Sequence, residues 1–117
     1  MLLIKHKQLK AITNSRRELF IQRLREHLEK FFPDIIKLLT AEEYNSFMDI
    51  GTKRATAYGL ETEYQIMVYF NIMLTLGVNF EKNKKHKWAD KILHDKSDAK
   101  MRVETLLRRV ESELKNK

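Results

Sequence analysis

The segment from Tyr64 to Leu76 constrains this chain more than any other. It includes Ile66, Met67, Val68, Tyr69, Phe70, Ile72, Met73, Leu74 and Leu76, apolar around almost the whole circumference of a helix. A helix of that kind is stable only when others surround it. Thr62 stands where an N-cap is needed and Gly77 where such a helix would stop. The segment is therefore expected to be a central helix over about 62–76. Gln65, Asn71 and Thr75 interrupt it, and a membrane span needs about 20 apolar residues, so a buried helix is the reading. Met67 and Met73 are expected to fill gaps in the core.

The rest of the chain supplies the wrapping. Pro33 is the only proline among 117 residues and there are three glycines, Gly51, Gly59 and Gly77. So few breakers leave little room for the turns of an all-β fold. The expectation is all-α, a single compact bundle of about five to six helices around the central one. One domain, 1–117, suffices for this length. Residues 1–12 form a loosely ordered or short helical lead-in, and 78–87 form a basic connector.

Helix signals place the elements. Ser15-Arg16-Arg17-Glu18 has the form of a capping box, and Phe20, Leu24, Leu28 and Phe31 recur at helical spacing after it. This predicts a helix over about Arg16 to Phe31. A residue before proline is pushed out of the helical region, so the chain breaks near Phe32 and a short helix runs from Pro33 to Leu39. Thr40-Ala41-Glu42-Glu43 is a second capping box. Tyr44, Phe47, Met48 and Ala55 carry the apolar face of a helix ending near Tyr58, with Gly59 as a left-handed cap. Gly51, inside that helix, marks a kink or a close helix contact. A short helix over Trp88 to His94 buries Trp88 and Ile92, with Leu93 a further candidate. The last helix is capped by Ser97 or Asp98 and carries a seam of Val103, Leu107, Val110 and Leu114.

Catalytic signatures are missing. There is no phosphate-binding glycine loop, dinucleotide fingerprint or nucleophile elbow. With no cysteine, thiolate zinc sites, cysteine nucleophiles and disulfides drop out. His86, Asp90 and His94 are spaced as metal ligands on one helix face would be, but His86 lies among lysines, where a divalent ion is repelled and the surroundings read as solvated. Glu42-Glu43 and Glu61/Glu63 sit at helix starts, where the dipole favours negative charge. No cofactor and no enzymatic activity are expected. The N-terminal apolar run of Leu2-Leu3-Ile4 falls short of the about 7 to 15 residues of a secretory signal, so a cytoplasmic location without membrane contact is expected.

Charge is the remaining clue. Residues 1–30 hold eight Lys/Arg and three acids, residues 31–79 three and six, and residues 80–117 twelve and seven. Two basic ends flank an acidic middle. The candidate partner-binding residues are Arg16, Arg17, Arg23 and Arg25 on the first long helix and Lys82, Lys84, Lys85 and Lys87 in the connector. A basic surface docking on an acidic protein is one reading. Nucleic-acid binding is another, though no recognised motif or aromatic platform accompanies the charges.

The stretch Ala57-Tyr58-Gly59-Leu60-Glu61-Thr62-Glu63, then Tyr69, Met73-Leu74-Thr75-Leu76-Gly77, Phe80, Trp88-Ala89 and Ile92-Leu93, resembles a small family of uncharacterised helical bacterial proteins. Phe20, Leu24, His27, Leu28, Phe32 and Pro33 match it early in the chain, and the resemblance spans roughly residues 8 to 110. Genes of that family often sit in type VI secretion clusters, beside spike proteins and effectors. The resemblance implies a non-enzymatic adaptor or chaperone for an effector or spike protein. An immunity-type inhibitor of a cytoplasmic toxin is the alternative it implies, and a basic nucleic-acid-binding regulator is the alternative from charge. The motif residues are caps, core and turns, so no catalytic role is carried over.

Overall fold

Pro33 divides the first two helices. In the computed structural model, which describes residues 2–115 with side chains from Arg16 onward, α1 spans Leu2–Phe31 and α2 spans Pro33–Lys37. Phe32 leaves the helical region at φ −132°, ψ 47°, as the clash with the following proline ring requires. Pro33 then opens α2, where its missing N–H costs nothing. The expected start at Arg16 is corrected: α1 runs on toward the N-terminus as far as Leu2, and Ser15 falls inside it. No proline or glycine interrupts residues 2–14, so the helix has no reason to stop at a cap sequence. The side chains of the lead-in, 1–12, lie outside the described residues.

Among the described residues the chain is all-α, with six α-helices, two 3-10 turns and no strand. It divides into two units, one ending at Leu38 and one beginning at Leu39. In the first, α1 packs on α2, and Leu24, Leu28 and Ile36 are buried.

The second unit holds α3 (Ala41–Ala57), α4 (Glu63–Leu76), 3-10 turns at Phe80–Lys82 and Lys84–His86, α5 (Lys87–Leu93) and α6 (Ala99–Lys115). The capping box expected at Thr40 forms in full at the head of α3, and the N-cap Thr62 at the head of α4 proves to be a capping box as well. Glu43 N–H donates to the Thr40 hydroxyl at 3.1 Å while Glu43 Oε1 accepts from Thr40 N–H at 2.9 Å. Gln65 completes the same exchange with Thr62. Each box satisfies two backbone donors that would otherwise be orphaned.

Within this unit α4 packs against α3, α6 and the first 3-10 turn. Tyr69 and Phe70 are fully buried, with Ile66, Val68, Ile72 and Met73 beside them. The wrapping is incomplete, however. Tyr64 and Thr75 are exposed, and Met67 is only half-buried. On α3, Tyr44, Phe47, Met48, Gly51 and Ala55 face inward, and the Phe47 ring meets Phe70 edge-on at 5.3 Å.

The sequence misplaces the seam of α6. Val103, Leu106 and Val110 are buried, whereas Leu107 is half-buried and Leu114 exposed. A spacing of three then four fits the face as well as four then three, and packing selects Leu106. Ala89 and Leu93 carry the buried face of α5, with Trp88 and Ile92 at its margins. Among the described residues no helix is long and apolar enough to cross a membrane.

Candidate functional site

Phe80 turns into the core of the second unit, and this drags its neighbour Glu81 inward. Glu81 is the one buried charged residue among those described, 6% exposed. Its Oε1 accepts a hydrogen bond from the Tyr69 hydroxyl at 3.2 Å, and Nη1 of Arg54 lies 3.7 Å from the same oxygen. Both contacts are long. Arg54 Nη1 is committed instead to the Val78 carbonyl, to which it donates at 2.8 Å. Glu81 Oε2 is buried with no hydrogen-bond partner at all. Buried polar atoms are nearly always satisfied, so a half-paired carboxylate marks this place as unusual.

Glu81 lies in the wall of an open cleft of about 570 Å³ formed by the end of α3, the first 3-10 turn, the end of α5 and the start of α6. Tyr58 forms another part of the wall, its ring tilted against Tyr69 at 6.0 Å and edge-on to His94 at 5.4 Å. Burial, and next the negative charge of Glu81, raise the Tyr58 and Tyr69 hydroxyls above the ordinary tyrosine value of 10.0, Tyr69 far more strongly. Asp95, at the rim, is held below its usual range because Ser97 donates to it from both hydroxyl and backbone, at 2.6 and 3.1 Å.

Arg102 fixes the shape of the cleft. Its Nη1 donates to the carbonyls of Tyr58 at 2.5 Å and Leu93 at 2.7 Å, and its Nε donates to Ser97 at 3.1 Å. One guanidinium thereby ties the end of α3, the end of α5 and the turn before α6. Those carbonyls at helix ends lack intrahelical partners, and the planar fork of arginine suits them.

The sequence-derived candidates fall in two places. Arg16, Arg17 and Arg23 are exposed on α1 and Arg25 is half-buried there; Arg17 and Arg25 border a shallow depression along the helix. Lys82, Lys84, Lys85 and Lys87 are all exposed around the two 3-10 turns. Of the eight, only Lys82 reaches the cleft.

His86 is not in open solvent, as its lysine neighbours suggested. It is half-buried edge-on against Trp88 at 5.7 Å, with its Nδ1 and the Trp88 Nε1 both buried and unpartnered. His94 instead turns to Asp90, with Nδ1 2.9 Å from the Asp90 carbonyl and 3.2 Å from its carboxylate. Among the described residues no three His, Cys, Asp or Glu side chains are grouped to hold a metal ion.

Sequence reasoning passed over Glu81, Tyr69, Arg54, Tyr58 and Arg102. The connector reads as solvated because six of its residues are charged or imidazole. The only signal against that reading was Phe80, an aromatic that needs cover and brings the next residue with it.

No known protein family, curated protein or solved structure matches this chain.

Proposed function

We propose that this chain is a protein-binding module with no reaction of its own, which docks an acidic protein through the end of α1 and α2. The observation that carries this reading is a set of large apolar side chains left in solvent. Phe31 is 60% exposed, Ile35 40% and Leu38 83%, within eight residues of one another. Exposed apolar groups gathered in one place mark interaction surfaces more often than single ones do. Ile36 is buried on the same short helix, so the element is anchored while its neighbours face outward. Lys30 and Lys37 are exposed beside them, Lys30 with its ammonium 5.4 Å from the Phe31 ring. Glu29 and Asp34 are exposed there too, so the border is mixed, and the positive charge that would draw carboxylates lies further back on α1 at Arg16, Arg17, Arg23 and Arg25.

The finer reading is an accessory adaptor or chaperone for a type VI secretion effector or spike protein. It is supported by the motif resemblance and by a surface of this kind.

Co-expression with a type VI secretion effector or spike protein from the same genome tests both levels. The partner's soluble yield should rise with the natural chain and fall back with Leu38→Asp. That variant should melt at the same temperature, because so exposed a side chain contributes little to the fold. Undiminished yield with Leu38→Asp would remove this surface from the proposal. A salt-sensitive gel shift with nucleic acid that ignores Leu38→Asp would replace the protein partner by the basic-regulator reading.

A further inference from the structure

His86 and Trp88 make a contact that neither the cleft nor docking at α2 uses. The chain has a single tryptophan, in the first turn of α5, and the ring of His86 meets it edge-on at 5.7 Å. Both residues are half-buried, yet His86 Nδ1 and Trp88 Nε1 are each fully buried without a hydrogen-bond partner. Buried polar atoms left in that state are exceptional. Of the three such side-chain atoms among the described residues, two lie on this one pair of touching rings.

The contact suits only one protonation state. An indole nitrogen can only donate, and a neutral imidazole keeps one nitrogen as an acceptor, so an unprotonated Nδ1 offers a lone pair beside a ring that carries a donor. A protonated imidazole has two donors and no acceptor. Its Nδ1–H would be buried beside a second donor with a charge on the ring, and burying an unpaired charge costs far more than burying an unpaired neutral group. The neighbours do not offset it. Lys84 and Lys85 precede His86 and Lys87 follows it, and from α6 the Arg109 guanidinium lies 5.4 Å from the Trp88 ring. The carboxylates on the surrounding elements are engaged elsewhere: Glu113 with Arg109 at 3.1 Å, Asp90 with His94 at 3.2 Å, and Glu81 with the Tyr69 hydroxyl at 3.2 Å.

We propose that His86 is a pH-dependent cover for Trp88, closed while the imidazole is neutral and swung into solvent once it takes a proton. The ring is free to leave without unwinding the chain. His86 is the N-cap of α5 but its side chain caps nothing, and the turn is held by the backbone, where His86 N–H donates to the Asn83 carbonyl at 2.9 Å. Opening bares an edge of the tryptophan beside Lys84, Lys85 and Lys87, so the basic connector gains an aromatic surface as pH falls. This device is separate from docking at α2, and either can fail without the other.

Because Trp88 is the sole tryptophan, the intact protein reports on the contact directly. Between about pH 8 and 5, where histidine is the side chain that ordinarily changes charge, three signals should move together as pH falls. The emission should shift to longer wavelength, acrylamide quenching should increase, and the single indole N–H resonance should exchange faster with water. Helical circular dichroism should stay constant over the same range. His86→Phe keeps an aromatic edge against Trp88 but cannot charge, and should hold the closed-state signals throughout. His86→Gln should likewise show no transition, and decides the matter if phenylalanine does not fit. Flat emission and quenching in the natural chain would overturn the proposal. A transition that survives both substitutions would belong to another group and overturn it too. So would a loss of intensity with neither a red shift nor greater quencher access, since that is a charged ring quenching in place. Helicity lost together with the shift would mean unfolding instead of a moving cover, and the proposal would fall.

Discussion

Gly51 shows how one hydrogen atom in place of a methyl group can be required. It lies inside α3, where alanine is ordinarily favoured by about 1 kcal/mol. A Cβ there would overlap the end of the Phe70 ring and come within 2.7 Å of Met73 Cε. Phe70 is held edge-on by Phe47 and cannot swing away. Overpacking of this kind costs about 1 to 3 kcal/mol and outweighs the propensity gain. Gly51→Ala should therefore lower the urea midpoint, by an amount corresponding to about 1 kcal/mol or somewhat more. A variant as stable as the natural chain would mean the two helices part easily.

Tyr69 makes a second prediction at this scale. Its hydroxyl is neutral when protonated, and burial followed by the Glu81 charge raises its ionisation above 10.0 in the folded chain. An unfolded tyrosine ionises near 10. Below that pH both states keep the proton and stability is unaffected by this group. Above it the unfolded state loses the proton first, so stability falls as pH rises toward the folded value. Alkaline titration followed by tyrosinate absorbance should show one tyrosine ionising only as helical circular dichroism collapses. Tyr69→Phe should remove that delayed fraction. A smooth four-tyrosine titration with the fold intact would contradict the burial of this hydroxyl.

At the level of helices, the sequence was readable wherever the signal was local. Thr40 and Thr62 announce their helices because each box closes within four residues, and Pro33 ends α1 through its own ring. Ser15 has the same form and does not begin a helix, since nothing before it prevents one. The face of α6 was misread at Leu107 because helical periodicity tolerates a shift of one residue, and only contact with α4 and α5 decides it. Arg102 was invisible for a similar reason. Its acceptor at Tyr58 is 44 residues away, and no pattern in the chain marks a cation that will bind carbonyls at helix ends. Glu81 was hidden by the lysines after it.

The contacts of Arg102 imply a specific sensitivity. Lysine keeps the charge and most of the length but can place only one ammonium, not a fork, among three carbonyls. At least one of Tyr58, Leu93 and Ser97 would lose its donor, and hydrogen bonds to charged groups contribute about 1.5 to 3 kcal/mol each. Arg102→Lys should thus cost about 2 kcal/mol in chemical denaturation, and Arg102→Met more. Equal stability of all three proteins would show that the guanidinium is dispensable.

For the molecule as a whole, the distribution of charge matters more than its net value of +7. The excess lies in residues 1–30 and 80–117, while 31–79 are acidic on balance. Under the docking proposal, the basic excess on α1 would attract an acidic partner, and its reach shrinks to about 8 Å at physiological ionic strength. Docking through Phe31, Ile35 and Leu38 would then combine two separable effects: apolar contact sets how long the complex lasts, and the basic helix sets how fast it forms. Arg16 and Arg17 are exposed on α1. Arg16→Glu with Arg17→Glu should slow association roughly tenfold at low salt, leave dissociation within about twofold, and lose most of its effect as salt is added. Leu38→Asp should do the reverse, accelerating dissociation with little change in the association rate. Surface plasmon resonance with the captured partner separates the two. If the arginine pair altered dissociation alone, those side chains would be contacts within the interface and the steering account would fail.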